Sequence, residues 1–154
     1  EMAEAGVELI RLLSVALPPR ECVGGACLAG RQVLGPKGKS VCLDTAEAWV
    51  FDPSEDNRVR VRDALENEAT GDRAAPAATA ALYAPGNLGP GDMAEYPAPV
   101  GVVATCAFGV NLRTLKVADN TEDQFQLIID RALDIARGGN GRVEDTAPST
   151  EGAT

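Results

Sequence analysis

The sequence predicts an α+β fold, a small single domain over residues 1–139 in which N-terminal and C-terminal helices pack on an antiparallel or mixed sheet. Three observations predict it. Residues 121–137 place Phe125, Ile128, Ile129, Ala132, Leu133 and Ala136 at helical spacing, which is the pattern of an amphipathic helix. Immediately before it, Val100 to Phe108 is a nearly continuous apolar run rich in β-branched residues, the composition of a buried strand. A second helical stripe opens the chain, and short extended candidates follow it.

That first stripe runs through Ala3, Val7, Ile10, Leu13, Ala16 and Leu17, with Leu9 and Leu12 widening it, until Pro18-Pro19 ends the pattern. Such a wide apolar face needs burial on more than one side, either within its own core or against a neighbouring copy. Next come Cys22 to Leu28, Arg31 to Leu34 and Ser40 to Leu43 as strand candidates, with Gly35 to Lys39 as a hairpin turn. Gly38-Lys39-Ser40 resembles the end of a phosphate-binding loop, but Val33 stands where the leading glycine belongs, so a plain turn is preferred. Asp44 to Phe51 fits a strand or a helix, with Trp49 and Phe51 as core anchors. A helix begun at Ser54 would carry Val61, Ala64, Leu65 and Glu68 on one face, leaving Arg58, Arg60 and Arg62 to a solvated, acid-neutralised surface.

Ala69 to Pro99 holds five prolines, Pro76, Pro85, Pro90, Pro97 and Pro99, and is expected to be a long Pro/Ala/Gly-rich loop or arm with a short helix from Ala77 to Tyr83. Loops beyond about 12 to 15 residues inside a domain usually serve a function. Leu82, Tyr83, Leu88, Met93 and Tyr96 are its spaced apolar anchors, and they are the predicted interaction residues. For the C-terminal helix, Thr121 with Gln124 forms a capping box with Asn120 as a competing cap, and Gly138-Gly139 is a stop signal. Residues 140–154 are expected to be a disordered tail, having little apolar surface to bury.

The formal charge of -9 repels nucleic-acid phosphates and anionic lipid, so neither is an expected partner. No apolar run approaches the roughly 20 residues that span a bilayer, and the acidic residues near Glu1 do not suit a signal peptide. A soluble protein, cytoplasmic or part of a virion, is the expectation.

A chain with no histidine cannot build a Ser-His-Asp or Cys-His arrangement or a histidine metal site. Cys22, Cys27, Cys42 and Cys106 are spaced neither as a zinc ribbon nor as a redox C-x-x-C. Cys106, with Ala107-Phe108-Gly109 after it, is the candidate reactive thiol; no cofactor is expected. These observations point away from an enzyme and toward a structural or interaction protein acting in a homo-oligomer or larger assembly. A small-ligand-binding or regulatory domain and a thiol-dependent redox or sulfur-handling enzyme stay open as alternatives.

Overall fold

A computed structural model describes residues 2–143, and among them the chain forms seven α-helices and no strand. The helices are α1 Met2–Ala16, α2 Pro19–Leu34, α3 Val41–Phe51, α4 Glu55–Glu68, α5 Ala75–Tyr83, α6 Val102–Val117 and α7 Thr121–Ala136. A 3-10 turn at Gly91–Glu95 lies in the connection between α5 and α6. The α+β expectation is therefore corrected to a helical bundle.

The reason lies in helices buried on more than one side. In α2, Cys22, Val23, Ala26, Cys27, Ala29, Gly30 and Val33 are all buried, so the polar face that marks an amphipathic helix is narrow and its period is hard to see. Its glycines are spacers within a helix: a Cβ on Gly30 would come within 3.1 Å of Leu43 and 3.4 Å of Ala74. Helix interiors normally disfavour glycine by about 1 kcal/mol, and here the close approach of α3 offsets that cost. Pro19 supplies the preset first turn of α2. The predicted strand at Val100 to Phe108 is the start of α6, where Ala107, Val110 and Thr114 form the buried stripe. A short apolar run by itself fits strand and helix equally. The expected strand at Ser40 to Leu43 opens α3, with the Ser40 side chain accepting from the Leu43 N–H at 2.9 Å. Gly35 to Lys39 is a turn as expected, joining two helices rather than two strands.

Helix α5 sits between α3, α4 and α6. Ala77, Ala78, Ala80 and Ala81 are fully buried, and a helix apolar all round belongs inside a core. The expected long loop is thus shortened to the segment after Tyr83. That segment closes on itself: Asn87 pairs with Pro97, Leu88 N donates to Tyr96 O at 2.9 Å and Ala98 N to Gly86 O at 3.0 Å.

Arg58 ties this segment to the bundle. It is buried rather than solvated, because the C-terminal carbonyls of α5 need donors. Its Nε and Nη2 donate to Leu82 O at 2.9 and 2.7 Å, and Nη2 also reaches Asn87 O at 3.2 Å and Asn87 Oδ1. Burial pulls the Arg58 pKa down, and Glu55 opposes that shift. Helix α4 is capped by Ser54 and buries Val61 and Ala64 as expected. Trp49 is buried, but Phe51, the other expected core anchor, is 89% exposed at the end of α3. It lies two residues past Trp49, about 200° around the helix.

Helix α7 starts where expected and ends one residue earlier, at Ala136, with Asn120 rather than a Thr121–Gln124 box as the cap, accepting from Glu122 N at 2.9 Å and Asp123 N at 3.1 Å. Gln124 is therefore free of the capping box and turns inward. The buried face is Gln124, Ile128, Arg131, Ala132 and Ile135; Leu133 and Ala136, expected inside, are exposed. Of the expected disordered tail, residues 144–154 lie outside the described residues. Gly141, inside them, donates to Asp134 Oδ2 at 2.8 Å.

Candidate functional site

Helix α1 presents two apolar faces. Its inner one is carried by Ile10 and Ser14, with the Ser14 hydroxyl donating to Ile10 O at 2.9 Å. Gly6 lets Phe125 of α7 lie against the backbone, since a Cβ there would fall 2.7 Å from the ring. The outer face holds Leu9, Leu12 and Val15, of which Leu12 is 62% and Val15 69% exposed. Burying such a side chain yields about 1.5–3 kcal/mol, and this domain leaves that stabilisation unused.

The outer face continues into a groove of about 460 Å³ where α1 ends and α6 begins. Val15, Leu17, Tyr83, Pro99, Val100 and Val103 line it. Val100 is fully exposed at its rim. No Asp, Glu, Lys or Arg lines the groove, so its attraction is for apolar surface. Beneath α1, Arg11 stands 5.1 Å from the Phe108 ring centroid of α6. Arg20, at the head of α2, donates to Val50 O at 2.8 Å and Phe51 O at 3.2 Å, holding the end of α3 beside it.

Of the five predicted interaction residues, Tyr83 lines this groove. Leu82 is buried in the core and Leu88 is half-buried, whereas Met93 and Tyr96 are exposed on the closed segment between α5 and α6. The predicted set is not one patch. Val15 and Val100 were missed, although the widened α1 stripe pointed to the first.

Chemistry at the thiols is unpromising. Cys22, Cys27 and Cys42 are buried and Cys106 is half-buried in α6, all of them free. Burial pushes Cys22 and Cys42 up to about 11, the latter with help from Asp72. Cys27 is raised further by burial and the neighbouring Glu47, and Cys106 is raised by burial. A protonated thiol is a poor nucleophile. The N-terminus of α3, where Gly38-Lys39-Ser40 lies, is already served by the chain itself: Ser40 donates to Asp72 Oδ2 while capping Leu43. Among the described residues no cluster of three or more His, Cys, Asp or Glu could hold a metal, and no helix is long and apolar enough to cross a membrane.

A family described as one of unknown function (DUF6931) matches residues 1–136. No curated protein and no solved structure matches the chain.

Proposed function

We propose that this chain, which belongs to the DUF6931 family, is a non-enzymatic interaction module that works within an oligomer by burying the outer face of α1 and the adjoining groove against another copy. The observation that carries the reading is that Leu9, Leu12 and Val15 are exposed on one helix and that Val15 also lines the adjoining groove, whose lining is uncharged. Contiguous exposed apolar surface of this kind marks interaction sites. The protonated thiols support a non-enzymatic role, and the charge of -9 supports a protein rather than a nucleic-acid partner.

A small-ligand site is the second reading, favoured by a groove volume within the roughly 300–1,000 Å³ usual for such sites. Against it, the lining offers few side chains able to orient a ligand.

Sedimentation velocity at micromolar concentration tests the first reading. The wild-type chain should sediment as an oligomer and the Leu12→Glu/Val15→Glu variant as a monomer. Its circular dichroism should be unchanged, because Leu12 and Val15 are exposed in the single chain, while its melting should lose only the stabilisation that association gives the wild type. A monomeric wild type, or a variant that associates as well as the wild type, would refute it.

A further inference from the structure

The turn after α7 sets two groups side by side that can react with each other. Of the asparagines in the chain, Asn140 alone is followed by glycine. An asparagine carboxamide is electrophilic at Cγ, and the main-chain nitrogen of the next residue is the nucleophile within its reach. Glycine leaves that nitrogen unshielded by any side chain.

The fold requires glycine at position 141 for two reasons. Its φ is 76°, in the left-handed region. A Cβ there would also fall 2.6 Å from Leu28 Cδ1 and 2.9 Å from Ile135 Cδ1, because the turn packs against α2 and α7. Asn140 beside it is exposed. Its Oδ1 accepts from Arg142 N at 3.0 Å, an Asx turn that folds the carboxamide back over the Gly141 backbone. Asp134 restrains the nucleophile. Gly141 N donates to Asp134 Oδ2 at 2.8 Å, and Gly139 N donates to Asp134 O at 2.8 Å, so one residue of α7 holds both sides of Asn140.

We propose that Asn140 is a site of spontaneous hydrolytic deamidation and that the Asp134 carboxylate sets its rate. Gly141 N loses its proton to a solvent base and attacks Asn140 Cγ; the Cγ–Nδ2 bond breaks and ammonia leaves, giving a cyclic imide. Water then opens the imide at one carbonyl to aspartate, or at the other to isoaspartate, in which the main chain runs through Cβ and Cγ. Nothing is oxidised or reduced. While Gly141 N–H is donated to Asp134, removing its proton would place a second negative charge beside the carboxylate, which like-charge repulsion disfavours. The nitrogen also has to leave that contact to reach Cγ. The closed turn is thus the protected state, and reaction proceeds from the locally opened one. Either product brings a new carboxylate close to Asp134, and isoaspartate lengthens the main chain as well, so the turn does not close again in its former register.

The test is the rate at which the full chain gains the mass of one deamidation in the tryptic peptide of residues 138–142, followed by mass spectrometry at mildly alkaline pH. The folded wild type should react at least about tenfold more slowly than the same chain in guanidinium, the scale of a hydrogen bond to a charged group. Asp134→Ala should recover most of that difference with its circular dichroism unchanged. Asp134→Asn, which keeps an acceptor and removes the charge, should fall between the two. Asn140→Gln, whose longer side chain closes a larger and slower-forming ring, should show no gain. A folded wild type as fast as the denatured chain, a folded Asp134→Ala as slow as the wild type, or a gain that persists in Asn140→Gln would overturn the proposal. If Asp134→Ala loses its helical signal, Asp134→Asn decides in its place, and a rate equal to the wild type's would overturn the proposal.

Discussion

Helices α2 to α6 and the two terminal helices bury their surfaces by different means. The main apolar cluster draws on α2, α3, α4, α5 and α6 and contains no buried residue of α1 or α7. Its members are mostly small, with Ala26, Ala46, Ala77, Ala78, Ala80 and Ala81 all fully buried. Contacts between helices that carry small side chains are short. The terminal pair is joined to the rest through polar groups as well as Ile10, Ile128 and Ile135: Gln124 and Arg131 are buried beside Gln32 and Thr114, and Ser14 is buried beside Cys22. The difference teaches that two kinds of specification coexist here. Volume specifies the inner bundle, and directional hydrogen bonds specify how α7 is set on it. A net hydrogen bond contributes only about 1 kcal/mol, so the terminal layer should open before the inner bundle does.

Thiol labelling gives the largest contrast. At neutral pH, Cys27 and Cys42 should react at least about a hundredfold more slowly than in denaturant, because burial both shields and protonates them. Cys106, half-buried on α6, should react first, with Cys22 next, since Cys22 faces α1 through a 3.3 Å contact from Sγ to Ser14 O. If Cys27 or Cys42 reacted as fast as Cys22, the two-layer distinction would fail. The same thiols make stability pH-dependent. A thiol raised in the folded state contributes stability that is complete below its unfolded value near 9 and is lost as pH rises to the folded value near 11. Denaturant titrations should show stability falling across that window.

A volume test comes next. Ala78→Leu should cost about 1–3 kcal/mol by overpacking the inner bundle, whereas Ala136→Leu on the exposed side of α7 should stay within about 0.5 kcal/mol. Equal costs in chemical denaturation would mean that the inner bundle tolerates added volume after all.

Gln124→Leu should have a smaller effect, about 1 kcal/mol, because Gln32 lines an open groove and can recover a water partner. Its loss should fall on α7. Amide exchange should speed up within Thr121–Ala136 and change little in α5; a uniform increase would show that the layers unfold together.

How much of this was legible follows the same division. Helix α7 with its stop and α4 with its Ser54 cap could be read in advance, because caps and amphipathic spacing are local signals; the short α5 was read from the proline at its start. The first helix could also be read; its wide stripe was expected to be buried in its own core or against a neighbouring copy, and in the single chain Leu9 and Leu12 are exposed. Of the candidate site, Tyr83 was named beforehand; Val15 and Val100 were not. Arg142 lies where only a disordered tail was expected, and Arg131 was not among the residues expected on the buried stripe of its helix.

What the sequence determined by itself was therefore the set of helices that keep a polar face toward solvent, together with the proline-started α5. Only the tertiary structure decided that α2, α3 and the start of α6 are helices and that α7 turns toward Gln124 and Arg131. A segment covered on two or more sides loses the contrast between wet and dry faces that gives periodicity its meaning. In α2 the glycines that permit close packing have the same letters as glycines that make turns. A glutamine or arginine, in turn, can be buried only where another helix brings it a hydrogen-bond partner. Gln124 and Arg131 find theirs on Thr114 and Gln32, residues ten and ninety-nine positions away along the chain.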